Sequence, residues 1–230
     1  NEDYDVSQEL HKNLNKKGIR ILTESTVEKV KTKSSISTII MKTKDGEKKL
    51  NAEIILSAVG VTPNTENIGL EGLKIATDNG KILANKYYQT NVGGYYAIGD
   101  VIKGPALAHL ASAEGIICIE KIAGKNPDPL DYGNIPSCTY CSPEVASVGL
   151  TEKEAQEKGY ELKIGKFPFR GLGKAMAVGA TDGFVKVIYD AKYGEMLGCH
   201  IIGAEATNLI TEATIARKLE TTHHEVLKTI

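Results

Sequence analysis

Two hydrophobic periods alternate along this chain. Val6, Leu10 and Leu14 fall on one face of a helix that Asp5 or Ser7 can cap and Gly18 can end. Ile19 to Leu22 predicts a short strand. Thr26 to Lys33 and Ile36 to Lys44 read as antiparallel strands, with a turn at Lys44-Asp45-Gly46-Glu47. Ala52 to Val59 is a nearly continuous apolar run, which suits a buried central strand. A further strand is expected to stop at Gly99-Asp100. Pro105 to Gly124 then predicts a helix with Leu107, Leu110, Ala111, Ile116, Ile117 and Ile122 available for burial.

Asn126-Pro127-Asp128-Pro129 reads as a linker and a domain boundary. Beyond it strands and helices alternate. Ser137 to Tyr140, Ala146 to Val148, Glu161 to Phe167, Gly183 to Asp190 and Glu195 to Ile202 are strand-like, the last two joined at Ala191 to Gly194. Thr151 with Glu154 forms a capping box for a helix ending at Gly159, and Thr222 with Glu225 caps another. Ala204 to Leu219 is a helix between them. The pattern predicts a sheet with helices on it, without internal repeats.

Composition narrows the function classes. At 230 residues the chain can hold one large domain or two modest ones. Charged residues make up 25% and hydrophobic residues 41%, as in ordinary globular proteins. A net charge of −1 gives no electrostatic case for nucleic acid or an anionic membrane. No apolar run reaches the length that spans a bilayer. Four cysteines without a dense framework fit a reducing compartment. Tryptophan is absent, so a strong visible signal would have to come from a cofactor.

The chemistry concentrates between Thr90 and Gly115, above all in Tyr96-Ala97-Ile98-Gly99-Asp100. A carboxylate at the carboxyl end of a strand sits where open α/β sheets bind ligands. There it can accept hydrogen bonds from the hydroxyls of a sugar-like chain. The helix after Pro105 points free backbone N–H groups at whatever lies above it. The bland alternative is an acidic helix cap after a buried strand. Flanking segments add to the motif: Ser57-Ala58-Val59-Gly60-Val61-Thr62-Pro63-Asn64-Thr65 before it, then Gly104-Pro105-Ala106-Leu107-Ala108-His109-Leu110-Ala111, Pro136 to Gly149, and Gly165-Lys166-Phe167-Pro168-Phe169 after it. In that order they resemble the second half of the dihydrolipoamide dehydrogenase family, flavin-dependent pyridine-nucleotide disulfide oxidoreductases. The resemblance covers essentially the whole chain. Glutathione and mercuric reductases share the Gly-Asp strand. The Pro105 to His109 turn and the Tyr140-Cys141-Ser142-Pro143-Glu144-Val145-Ala146 segment look more like the lipoamide enzymes.

The resemblance implies an α/β fold: partial FAD- and NAD(P)-binding Rossmann-like segments followed by an α+β dimerisation domain. It divides the chain into residues 1–82, closing an NAD-binding domain, 83–126, returning to the FAD-binding domain, and 127–230, an interface domain lacking its terminal segment. It implies FAD and NAD as cofactors. Asp100 matches the family residue that hydrogen-bonds the ribityl chain. Ala106, Leu107, Ala108 and His109 match the turn whose backbone approaches the flavin, with alanine at 106 where methionine is commoner. Gly60 matches a position near NAD and flavin, where basic residues often follow but Val61 and Thr62 stand here. Val27 matches a position bordering the adenine, although strand core is the better reading of that residue by itself.

The family's catalytic parts are expected outside these residues. No Cys-x4-Cys redox pair occurs, no G-x-G-x-x-G fingerprint occurs, and the His-x-His-Pro base segment would begin about where Ile230 stands. Cys138 and Cys141 lie in a β-rich stretch and read as structural rather than redox or zinc residues, as do the isolated Cys118 and Cys199. His223 and His224 read as solvated residues at a helix start. The ring of His109 reads as packing. No catalytic residue and no metal site is assigned. The expectation is an enzyme portion, inactive by itself, serving dihydrolipoamide oxidation with electrons passing through a redox disulfide and FAD to NAD. Its expected partners are a second copy, through the C-terminal domain, and the lipoyl domains of 2-oxo acid dehydrogenase or glycine cleavage complexes. Its expected location is the bacterial cytoplasm, or else the mitochondrial matrix. Two alternatives stay open: another disulfide reductase of the same family, acting on glutathione or mercuric ion, or an autonomous dimerisation module.

Overall fold

A computed structural model describes residues 2–230. Two compact units form among the described residues: one from residues 14–62, the other from residues 2–13 with 63–230.

The smaller unit is a three-stranded antiparallel sheet in the order β1 (Thr26–Lys33), β2 (Ile36–Thr43), β3 (Gly46–Ala52). Thr43 pairs with Gly46, so Lys44 and Asp45 form a tight hairpin turn. Every side chain of β1 is exposed and Met41 of β2 is buried. The expected strand at Ile19 to Leu22 does not form. Nor does the buried strand at Ala52 to Val59: residues 53–62 carry no regular structure, and Ile54, Leu56 and Val59 are 88%, 89% and 95% exposed. A strand exists only where a neighbouring backbone satisfies its N–H and C=O groups. Among the described residues none pairs with this run, so its apolar pattern stands without a ladder.

The larger unit opens with α1 (Tyr4–Lys16), of which it holds the part through Asn13. Its cap is Asp3, whose Oδ1 accepts the Asp5 N–H at 3.0 Å, in place of the expected Asp5 or Ser7. Val6 and Leu10 turn inward against Val145, Phe184 and Ile202. After the small hairpin β4 (Thr77–Asp78) and β5 (Lys81–Ile82), the chain reaches α2 (Ala108–Ile122). Leu70, Ile75, Ile82, Tyr88, Ala97, Ile102 and Cys118 form one core there. No strand leads into Gly99-Asp100. Tyr96 makes a single bridge to Gln89, and residues 99–101 form a 3₁₀ turn. Leu110 is buried as expected, whereas Ile116 and Ile122 are 63% and 51% exposed. Helical geometry explains this: the inward stripe is Leu110, Glu114 and Cys118, spaced four apart.

Residues 125–130, where a linker was expected, are irregular. Beyond it stands a five-stranded antiparallel sheet, in the order β6 (Ser137–Thr139), β7 (Glu144–Gly149), β10 (Met196–Gly203), β9 (Phe184–Asp190), β8 (Leu162–Pro168). The central β10 is buried along its whole length. Helix α5 (Ala206–Lys218) covers β7 and β10, sealing Ala146, Val148, Cys199, Ile201, Ala206 and Ile210. Both predicted capping boxes form, on α3 (Glu152–Glu157) and α6 (His223–Lys228). The pattern gave no sign of α4 (Gly173–Val178), which is too short to complete a hydrophobic period.

Candidate functional site

The Gly99–Val101 turn is built from inside outward. Gly99 adopts φ +72°, a left-handed conformation that favours glycine, and a Cβ there would stand 3.2 Å from the Ala111 Cβ on α2. Its N–H donates to Glu114 Oε2 at 2.6 Å. Glu114 is 1% exposed, and its other oxygen, Oε1, accepts the Tyr132 hydroxyl at 2.6 Å. Tyr88 Oη lies 3.4 Å from Tyr132 Oη. Tyr132 has one hydroxyl proton and commits it to the carboxylate, so Tyr88 is the donor across that contact. Partial desolvation, together with the Glu114 hydrogen bond, pushes the Tyr132 hydroxyl above its ordinary value, although the residue as a whole is exposed.

Asp100, next in the chain, is exposed and takes no hydrogen bond or ion pair among the described residues. Its backbone is fixed while its carboxylate stays uncommitted. Helix α2 begins beside it at Ala108. The N-cap Leu107 has an extended backbone and no side-chain cap. Leu107 donates its own N–H to Pro105 O at 3.1 Å, whereas the N–H groups of Ala106, Ala108 and His109 meet no backbone acceptor. Ala106, Ala108 and His109 are exposed and Leu107 is half-buried. The arrangement offers anion-stabilising donors at a helix start and one carboxylate acceptor beside them. Such a pair suits a ligand that combines a hydroxylated chain with acidic or carbonyl groups. These residues therefore fit the ribityl-pyrophosphate part of a flavin dinucleotide. A cleft of about 470 Å³ next to this segment is lined by Tyr88, Lys103, Gly104, Pro105 and Tyr132, and Asp100 is not part of its wall.

The other two expected cofactor residues belong to the smaller unit. Val27 lies on β1 as a strand residue, but it is 58% exposed, so the reading of it as strand core is corrected. Its sheet buries Met41 of β2 instead. Gly60 has φ +117° and nothing within 4 Å of where a Cβ would stand. Cys138 lies on β6 and Cys141 just after it, where its thiol donates to Pro143 O at 3.0 Å. All four cysteines are free thiols. His223 packs edge-on against Tyr189, with ring centroids 5.7 Å apart.

Sequence reasoning missed two buried charges and their partners. Glu114, bonded to the exposed Tyr132, is one. The other is Lys186, 1% exposed on β9 between Phe184 and Ile188. Its Nζ lies 2.8 Å from Asp3 Oδ1, 3.1 Å from Asp5 Oδ2 and 2.7 Å from Glu152 Oε2. Burial opposes its charge, but three carboxylates outweigh that and push the ammonium above the ordinary lysine range. A groove of about 780 Å³ opens beside this cluster. Both clusters left the same sequence signal: a charged residue on the apolar stripe, Glu114 at helical spacing and Lys186 at strand spacing.

Among the described residues no helix is long and apolar enough to cross a membrane. The family profile described as "Pyridine nucleotide-disulphide oxidoreductase" matches residues 1–115, and the one for that family's dimerisation domain matches residues 135–230. Proteins named dihydrolipoyl dehydrogenase from Rhizobium etli and Bacillus subtilis are each 48% identical over 231 residues. These alignments take in 100% of this chain and 48% and 49% of those proteins, so the chain spans about half the length of the curated relatives it matches. Two solved structures share the fold: LpdA from Mycobacterium tuberculosis, with TM-score 0.88 at 23% identity over 100% of this chain and 50% of that one, and the HOCl-induced flavoprotein disulfide reductase RclA from Escherichia coli, with TM-score 0.90 at 22% identity over 100% and 52%. The free carboxylate on its anchored turn, the uncapped helix beside it and the antiparallel sheet that follows therefore sit in a chain that belongs to the pyridine nucleotide-disulphide oxidoreductase family.

Proposed function

We propose that this chain is the C-terminal part of a flavin-dependent dihydrolipoyl dehydrogenase. The whole enzyme oxidises dihydrolipoamide and reduces NAD. Bound FAD supplies a two-electron acceptor between the dithiol and the nicotinamide. This chain's own residues bind and orient. Asp100 accepts hydrogen bonds from the ribityl hydroxyls. The free N–H groups at Ala106, Ala108 and His109, on the Ala106 to His109 turn, face the acidic or carbonyl edge of the cofactor. Gly60, lacking a side chain, allows close approach of the nicotinamide cofactor, and Val27 borders its adenine. The five-stranded sheet domain joins two copies. Lipoyl domains bring the substrate, and the enzyme works in the cytoplasm.

The observation that carries the reading is the Asp100 turn: a rigid backbone presenting an unspent carboxylate beside an uncapped helix start. The relatives' names favour dihydrolipoamide over glutathione or mercuric ion as the substrate.

The test compares three preparations. The full-length protein should retain FAD and turn over dihydrolipoamide with NAD. The 230-residue chain by itself should show no turnover. Asp100→Ala in the full-length protein should weaken FAD binding by about tenfold or more, the worth of one hydrogen bond to a charged group, with unfolding unchanged. A full-length protein that purifies without flavin and accepts none would overturn the reading.

A further inference from the structure

We propose that Glu114 and Tyr132 are positioning residues for flavin binding, because their hydrogen-bonded link fixes the Gly99-Asp100 turn to the sheet domain. The inference rests on the flavin reading of Asp100 above and extends it to residues that act through the Gly99-Asp100 turn.

Glu114 is a charged residue at 1% exposure on the apolar stripe of α2. Fold stability alone does not call for it there, since burying a carboxylate is costly unless every oxygen is satisfied. Here both are. Oε2 takes the Gly99 N–H and Oε1 takes the Tyr132 hydroxyl, each at 2.6 Å. The first bond acts one residue before Asp100, at the glycine whose left-handed backbone aims it.

The second bond leads away from the site. Tyr132 belongs to the 3₁₀ turn Tyr132–Asn134 after the linker, and that turn is held from the sheet domain. Arg217 on α5 donates to Gly133 O at 2.7 Å and to Asn134 Oδ1 at 2.9 Å. Through its Nε it also donates to Met196 O, on the central strand β10, at 3.2 Å. Asn134 donates to Thr214 O at 3.1 Å. Hydrogen bonds on either side of the Tyr132–Asn134 turn, joined by its own backbone, thus connect β10 to the Gly99 N–H. Tyr88, the third member, is 2% exposed and holds φ +67°, uncommon for a bulky residue. Asn85 stabilises that bend by accepting the N–H groups of Tyr87 and Gln89 on Oδ1. Strain concentrated where the backbone must be fixed accords with a positioning role.

The experiment uses the full-length flavoprotein and reads the FAD dissociation constant and the fine structure of the visible flavin band. Glu114→Ala should raise Kd about tenfold or more and blunt the band, since the turn loses its anchor. Glu114→Gln keeps an oxygen for the Gly99 N–H and should stay within about threefold of wild type. Tyr132→Phe should raise Kd about threefold, because the carboxylate loses one partner while the turn keeps its bond. Cys118→Ala opens a cavity in the same core and should leave Kd within about twofold, separating positioning from general loosening. Glu114→Ala binding FAD as tightly as wild type would overturn the inference while leaving the flavin reading intact. If Glu114→Ala does not fold, an unchanged Kd in Tyr132→Phe overturns it equally. A wild-type protein that takes no FAD would instead remove the reading on which both stand.

Discussion

Replacing Lys186 by methionine removes one ammonium and keeps the unbranched stem. The wild-type Nζ sits within 3.1 Å of three carboxylates, and Lys186 and Asp3 are 1% and 2% exposed. After substitution Asp3 keeps two N–H donors, from Asp5 and Glu152, but has no cation. Breaking a buried pair from one side costs about 3–5 kcal/mol. Asp5 and Glu152 are about one-third exposed, so solvent screens their share, and the lower end, about 3 kcal/mol, is expected. That corresponds to a fall in Tm of roughly 6–12 °C for a chain of this size. Far-UV circular dichroism during thermal and urea unfolding measures it, since tryptophan is absent.

The pH dependence has a definite sign. Burial raises the Asp3 carboxyl, but the Lys186 and backbone hydrogen bonds together hold it below the usual carboxylate range. Its contribution is therefore present above about pH 3.9 and lost as pH falls through the folded value. Lys186 is raised, so its contribution is full below about pH 10.4 and lost as pH climbs through the folded value. In the variant, burial without a cation drives the Asp3 pKa up, and protonation relieves the penalty. The gap between wild type and variant should be widest near neutrality and narrow toward pH 3. A gap under about 0.5 kcal/mol at pH 7, or one that widens on acidification, would refute the reasoning.

Three further outcomes follow from the same structure. Gly198→Ala would drive its Cβ into the Leu150 carbonyl oxygen and crowd His200 Nε2 at 3.2 Å, costing about 1–3 kcal/mol; an unchanged Tm would contradict this. Thr151→Ala deletes the α3 capping box and should cost about 1 kcal/mol, while Thr151→Ser should cost little; equal losses in urea midpoint would count against the cap. Burial pushes the Cys199 thiol up to about 12 and raises Cys118 as well, so a disulfide-exchange reagent at mild alkaline pH should leave both unmodified until denaturant is added, and more than two reacting thiols in the native chain would show that burial wrong.

Much of the sheet domain was legible because its signals are local. Strand periods at Gly183 to Asp190 and Glu195 to Ile202, and the boxes at Thr151 and Thr222, need only a few neighbouring residues to operate. Legibility failed where an element depends on a partner. Ala52 to Val59 has the composition of a central strand, yet without a neighbouring ladder it carries no regular structure. The Gly99-Asp100 motif marked the candidate site in the chain, but its geometry comes from a 3₁₀ turn bonded to Glu114, not from a strand end. Asp100 was visible because Gly99-Asp100 is a contiguous motif. Glu114 and Tyr132 were not, because 18 positions separate them.

The amino-acid order alone settled where α3 and α6 start and which strands exist in the sheet domain, since capping and side-chain alternation act over a few bonds. Only the folded chain decided which charges are buried and with whom. Lys186 meets Asp3 across 183 residues, and no local preference encodes that distance. A buried charge persists only if the topology delivers its counterpart, and delivery is a property of the whole fold.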